Sequence, residues 1–321
     1  MRRKPIYVEI DMQAPMKDAW EYTQNPKLHE QWDLRFTSIT YLEKKSPDAP
    51  QQFTYETKVM PGLKVSGWGE SKGEHHKADG TKTSSLHFGT PQKISPIAEG
   101  KGYWQYIPKD KGLTFLTQYD YDVRYGKLGV LFDYLFRSLI GWATALSFDV
   151  LKRWLEKGEN PLAQYRRFFL TMLISILFCF VWLYHGLAPK VMVQHPDEVM
   201  MIERLLGYPS EESLQPSNQA PHLSDADLQM NTATKIVFGI GIAEILFALC
   251  WLLPRGKRLL FSAQIIVFPL LTISAVLADK NMVGAPFNPV TLNAALWVLS
   301  IVGFILSKDL PSAKSCKRKR G

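Results

Sequence analysis

The sequence predicts an α+β fold in two parts: an antiparallel curved sheet around a long C-terminal helix, then a four-helix transmembrane bundle. Three observations carry this. Residues 168–187 run for twenty positions without Asp, Glu, Lys or Arg, enough at about 1.5 Å per residue to span the roughly 30 Å of a bilayer core. Similar runs follow at 236–253, 259–278 and 289–306. Before them, apolar and polar residues alternate in short segments separated by turn residues, the pattern of half-buried strands.

The elements of the first part follow in order. Ile6, Val8 and Ile10 alternate with Tyr7, Glu9 and Asp11, giving a first strand over 5–11. Residues 15–33 hold helix formers interrupted by Asn25-Pro26, which predicts two short helices. Strand-like segments follow at 36–42, 53–59, 63–74, 81–88, 98–107 and 113–123, with turns at Pro61-Gly62, Asp79-Gly80 and 110–112. The last strand puts Leu113, Phe115, Thr117, Tyr119, Tyr121 and Val123 on one face. Residues 127–156 then carry apolar side chains at spacings of three and four, a broad helical stripe. The longest charge-free stretch of that helix, 138–148, is too short to cross a bilayer. Gly158 and Pro161 supply its stop signals. An antiparallel sheet with one apolar face needs a cover, and this helix provides it.

Composition narrows the function. The 321 residues carry 38 Lys and Arg against 30 Asp and Glu, a net charge of +8. Residues 1–150 hold 20 basic and 18 acidic side chains, so this part lacks the clustered positive charge that nucleic-acid binding needs, and no nucleic-acid partner is expected. The basic excess lies beside the apolar runs. Residues 152–167 hold five basic side chains, 254–258 three, and the tail from 307 six. The loop 188–235 holds seven acidic residues, Glu211 and Glu212 among them, against three basic ones. With four spans, every basic segment falls on one side, which predicts a multi-pass cell-membrane protein with both termini and the N-terminal domain cytoplasmic. No apolar stretch follows the basic N-terminus, so no cleaved signal peptide is expected. The three cysteines, Cys179, Cys250 and Cys316, form no C-x-x-C and suggest no disulfide framework.

The order of one strand, two short helices, about six strands and a long helix resembles the helix-grip, or SRPBCC/START-like, superfamily over residues 1–160. The remainder, 161–321, resembles the DoxX-like membrane proteins. The residues that suggest this pairing of a helix-grip domain with a DoxX-like membrane part are TQNPKLHEQWDLRF (23–36), GWATALSFD (141–149), Tyr184-His185-Gly186, and Gly239-x-Gly241-x-x-Glu244, which together cover nearly the whole chain. The first resemblance implies an enclosed apolar cavity. The second implies, through redox relatives, quinone as a cofactor; the residues themselves call for none.

Several residues are candidates for chemistry. Glu244 lies inside an otherwise uncharged span, where a carboxylate is costly unless neutral or paired. It serves either as a proton or ligand site or as an interhelical hydrogen-bonding group, with His185, Gln264 and Asn293 as expected partners. Gly239 and Gly241 would let a neighbouring helix approach, and Pro269 interrupts the third span. His185, beside Trp182 and Tyr184, also fits an interfacial aromatic belt. Trp32, Arg35, Trp68, Tyr103 and Trp142 are expected to line the cavity, with Arg35 holding an anionic head group; core packing is the competing role for the aromatics. His75 and His76 are adjacent and point to opposite faces of a strand, so no metal is expected there.

These features support a membrane-anchored protein that binds a lipophilic small molecule or lipid. An accessory subunit of a quinone-linked membrane redox system, with a membrane-protein partner, and a cavity-based cyclase or hydrolase are the alternatives. No HExxH, Walker A, G-x-S-x-G or dinucleotide fingerprint is present.

Overall fold

A computed structural model describes residues 4–46, 49–60, 62–207 and 223–319; Pro61 of the expected turn and Glu211 and Glu212 of the acidic loop lie outside them. The described residues form two compact units, one of 4–166 with 311–319 and the other of 167–310.

The first unit runs β1 (Ile6–Met12), α1 (Met16–Gln24), α2 (Pro26–Trp32), β2 (Ser38–Tyr41), β3 (Gln52–Met60), β4 (Leu63–His76), β5 (Lys82–Gly89), β6 (Ile97–Pro108), β7 (Leu113–Val123) and α3 (Gly126–Lys157). Asn25 ends α1 and caps α2, its Oδ1 accepting the Lys27 N–H at 2.9 Å, with Pro26 at the first helical position. Gly158, at φ 68°, closes α3 by donating its N–H to the Trp154 carbonyl.

Among the described residues the sheet has the order β2-β3-β4-β5-β6-β7-β1 and then a strand of the tail, β8 (Lys317–Lys319), every pairing antiparallel. Directly paired residues point to the same face. Val8 pairs with Thr117, Thr117 with Trp104, and Trp104 with Ser84, so these share the inner face. Tyr119 joins them, because its hydroxyl meets Thr144 Oγ1 of α3 at 2.9 Å. The C-terminal half of α3 is buried from Thr144 to Leu151 and packs on β1 and β7.

The tail departs from the expected boundary. Grouped with the membrane part by sequence, residues 311–319 pack in the first unit instead. β8 (Lys317–Lys319) extends the sheet beyond β1, pairing Glu9 with Lys317, Val8 with Arg318 and Tyr7 with Lys319. Before it, Ser312 N–H donates to Asp149 Oδ2 at 2.8 Å and the Cys316 thiol to the Ala145 carbonyl at 3.2 Å. Lys317 Nζ reaches Glu9 Oε1 at 2.9 Å. A strand of three charged residues has no hydropathy signature; backbone pairing on an open edge holds it.

The second unit contains most of α4 (Pro161–His185), a π-helical segment (Gly186–Met192), α5 (Pro196–Leu205), α6 (Leu223–Cys250), α7 (Lys257–Ala278) and α8 (Pro289–Leu306). Four helical stretches among the described residues are long and apolar enough to cross a membrane: Pro161–Met192, Thr232–Cys250, Lys257–Ala278 and Pro289–Leu306. The first begins earlier than the hydropathy run because Pro161 starts the helix at its first position. Phe178, Trp182, Trp251, Phe261 and Phe268 form the aromatic core of this unit. Pro269 inside α7 has no N–H for the Ile265 carbonyl one turn earlier, and Trp297 Nε1 of α8 supplies that hydrogen bond at 3.0 Å. Gly303 of α8 lies against the Phe261 ring, which a Cβ there would meet at 2.1 Å.

Candidate functional site

The inner face of the first unit has a closed end and an open one. At the closed end Trp32, Tyr106, Phe115 and Phe148 are fully buried, with Phe115 and Phe148 rings 4.4 Å apart. Trp32 donates Nε1–H to the Tyr22 carbonyl and stacks on His29 at 5.0 Å. Toward β3, β4 and β5, Phe36, Phe53, Tyr55, Leu86, Phe88 and Trp104 are only half-buried. Among the strands, α3 packs most on β1 and β7. Gly67 and Gly69 of β4 allow aromatic rings to lie flat on the sheet. A Cβ at either would meet the ring of Tyr55 at 2.4 Å or of Phe53 at 2.2 Å. The result is a half-buried apolar surface beside a polar node.

That node centres on Asp33. Arg35 grips its carboxylate through Nε at 2.9 Å and Nη2 at 2.6 Å, and His29 Nε2 lies 3.0 Å away. The guanidinium sits over the rings of Phe36 and Tyr119, at 5.6 and 5.5 Å. Burial alone would raise the Asp33 carboxyl, but the charge and hydrogen bonds of Arg35, with His29, outweigh it and hold the group well below the usual carboxylate range. Burial opposes the charge on Arg35, and Asp33 overrides it, so the guanidinium stays protonated. Burial pushes the Tyr55 hydroxyl up to about 12 and raises that of Tyr119, so both remain neutral donors at physiological pH.

The expected cavity residues divide between faces. Trp32 and Arg35 lie inside, Trp32 as closed core and Arg35 with its charge matched by Asp33. Trp68 and Tyr103 lie on the outer face: Trp68 is paired with Thr54 and packs edge-on against His87 at 4.9 Å, and Tyr103 is paired with Gln118. They are corrected for a physical reason, since glycines occupy inner positions of β4 and β6 (Gly67, Gly69, Gly100, Gly102), while Trp68 and Tyr103 stand on outer positions next to them. Trp142 is half-buried on α3, about half a helical turn from the Thr144 face. Phe53, Tyr55, Leu86 and Phe88 were the missed inner residues; strand pairing, not hydropathy, identifies them.

In the second unit, Glu244 meets a partner the sequence did not single out. Lys190 Nζ lies 3.2 Å from Glu244 Oε2 and 3.4 Å from Glu198 Oε1, with its side chain only 10% exposed. It also reaches the His185 carbonyl at 3.4 Å, which places His185 at this cluster through its backbone. The Lys190–Glu244 contact is close enough for an ion pair, yet Glu244 Oε2 makes no well-directed hydrogen bond among the described residues. Gly241 and Gly186 make the approach of α6 to the π-helical segment possible, each a backbone contact that a Cβ would break (2.8 and 2.6 Å); Gly239 faces open space. Gln264 is fully buried and accepts from Ser300 Oγ at 3.4 Å, while Asn293 is half-buried on α8. Among the described residues no three His, Cys, Asp or Glu side chains are grouped to hold a metal ion. His76 instead lies 3.6 Å from Glu74.

A sheet of this order gripping one long helix, with four membrane-length helices after it, defines a multi-pass membrane protein with a helix-grip N-terminal unit. Residues 212–301 match the DoxX-like family. The uncharacterized membrane protein YndG of Bacillus subtilis (strain 168) is 38% identical over the whole of this chain and 99% of its own length. The chain belongs to the family of that membrane protein. Two solved structures resemble the N-terminal unit, each at 16% identity. The protein TTHA0849 from Thermus thermophilus covers 43% of this chain and 86% of its own, with a TM-score of 0.33. The STAR-related lipid transfer protein from Xanthomonas axonopodis covers 44% and 84%, with a TM-score of 0.32.

Proposed function

We propose that this chain is a membrane-anchored binding protein for a lipophilic small molecule or lipid, which lies on the inner face of β3, β4 and β5. The observation that carries this reading is the row of half-buried apolar side chains, Phe53, Tyr55, Leu86 and Phe88, which share the inner face of the sheet away from β1 and β7, where α3 packs. Ligand sites are concave and mainly apolar, with a few fixed polar groups. Arg35, Tyr119 and Tyr55 supply those groups. The test is titration of the full chain in nanodiscs with a fluorescent fatty-acyl probe, with empty nanodiscs as the reference. Saturable binding in the micromolar range, about −8 kcal/mol, is expected. A signal no greater than that of empty nanodiscs would reject the reading.

The proposed orientation has both termini and the helix-grip unit in the cytoplasm. Basic segments on one side of four spans favour it, and so does the pairing of the C-terminal tail with β1, which needs both chain ends on one side of the membrane.

One observation favours a redox reading as well. Trp182 Nε1, Trp251 Nε1 and Gln264 Nε2 are buried among the aromatic rings of the second unit with no acceptor among the described residues. Buried donors left unpaired are costly, and an aromatic molecule carrying carbonyl oxygens, such as a quinone, would satisfy them. Chromatography of quinones extracted from the purified chain tests this. A stoichiometric quinone would support it and none would oppose it.

A further inference from the structure

We propose that the first half of α3 is an interfacial helix that docks on the lipid bilayer along its surface. The helix has inverted polarity. Gly129, Asp133, Gly141 and Thr144 recur at helical spacing and are buried toward the sheet. Asp133 accepts from the Tyr121 hydroxyl at 2.7 Å and from Arg137 Nε at 3.1 Å, so the charges point inward and are paired. On the opposite face Leu128, Leu131, Leu135 and Leu139, three and four residues apart, are 79%, 74%, 70% and 57% exposed. A soluble protein's surface helix is arranged the other way round. An apolar face this continuous marks a docking surface.

Three features select lipid as the occupant. First, the surface is continuous with an element that enters the bilayer. Only Gly158, Glu159 and Asn160 separate α3 from α4. The first turn of α4 is fastened to α3 within the same unit, Gln164 Nε2 donating to the Val150 carbonyl at 3.2 Å and the Tyr165 hydroxyl to Ser147 Oγ at 3.2 Å. The chain therefore passes from this unit into the first span without an intervening loop. Second, the patch extends past α3: the Tyr125 hydroxyl donates to the Lys93 carbonyl, and Tyr125 and the neighbouring Ile94 are 59% and 61% exposed. Third, the exposed Lys93 and Lys127 border the patch, and Tyr134 lies beside the leucines. Lysines that reach head groups over an apolar stripe, with tyrosines at the same level, match the chemistry of an anionic lipid interface. The proposal does not rest on ligand binding at the inner face.

The test uses the full chain, with its three cysteines replaced by alanine, in vesicles of phosphatidylcholine and phosphatidylglycerol. Nitroxide labels are placed in separate variants at Leu131, Leu135 and, for reference, at exposed Lys101 on β6. Collision with oxygen should exceed collision with an aqueous nickel chelate at 131 and 135, and the ratio should reverse at 101. Raising the phosphatidylglycerol content should increase the ratio at 131 and 135, and K93E/K127E should abolish that increase. Aqueous exposure of 131 and 135 equal to that of 101 would overturn the proposal. Shielding from both reagents would also overturn it, since that is the signature of a protein cover. A second measurement needs no substitution. A phospholipid with a diazirine in its acyl chain, photolysed with the unaltered protein, should label the tryptic peptide 128–137. Labelling confined to the four spans would overturn the proposal.

Discussion

The Asp33–Arg35 pair fixes the polar node of the inner face, and its removal has a definite sign. Asp33→Asn would leave the Arg35 charge buried against Phe36 and Tyr119 without a counter-charge, an arrangement that costs about 3–5 kcal/mol. Chemical denaturation of the full chain, followed by the fluorescence of buried Trp32, should report that loss. The pH dependence follows from the lowered Asp33 carboxyl. Its contribution is complete above the ordinary carboxylate value and disappears as pH falls through the folded value, so acid should destabilise the parent more steeply than Asp33→Asn. The sequence marks Arg35 as a cation for an anionic head group; its partner two residues away is not legible there, because adjacency in sequence does not reveal a bidentate grip. In the second unit Lys190 bridges Glu244 and Glu198. Lys190→Met should destabilise the protein in detergent more than Glu244→Gln, because it leaves two carboxylates without a cation. The double variant should recover about 1–3 kcal/mol of the summed losses. Simple additivity of the two unfolding energies would remove the pair as an interacting unit. Glu244 stood out in the sequence as a lone intramembrane carboxylate. Lys190 did not, because it sits past Pro189 in a segment that reads as loop.

Among elements, the tail was the least legible and the spans the most. α8 coincides with its hydropathy run at both ends, since lipid requires each spanning backbone to satisfy itself within one apolar helix. β4 and β6 were legible as strands but not as faces. Their glycines leave room on the inner side for rings from β3 and β5, so the visible aromatics Trp68 and Tyr103 point outward. β8 is held by backbone pairing, and just before it the half-buried Cys316 thiol donates to the Ala145 carbonyl of α3; burial pushes this thiol up to about 12, with Ser315 working against the rise. A thiol in that state is a poor nucleophile. Cys316 should therefore react slowly with a maleimide at neutral pH in the intact protein. Val8→Pro should speed the reaction several-fold by weakening the β1 edge that holds β8. Equal rates in parent and variant would mean that the strand does not protect the thiol.

At the scale of the whole molecule, the chain leaves the first unit at α4 and returns to it with the tail, so both chain ends belong to one unit. The orientation is testable with cysteines placed at Asp197, in the segment after the first span, and at Lys314 in the tail. An impermeant reagent applied to cells should modify position 197 and spare 314, and the opposite pattern would reverse the proposed orientation. The central claim concerns the open part of the inner face. Leu86 lies between Gly102 and Ser71 in the sheet, so bulk added there projects over the half-buried surface past small neighbours only. The direct measurement is native mass spectrometry of the full chain released from mild detergent, parent against Leu86→Trp. The parent should carry a lipophilic molecule at one per chain, and the variant, with an unchanged unfolding temperature, should retain at most a small fraction of it. Equal retention by both would contradict a ligand site on the inner face.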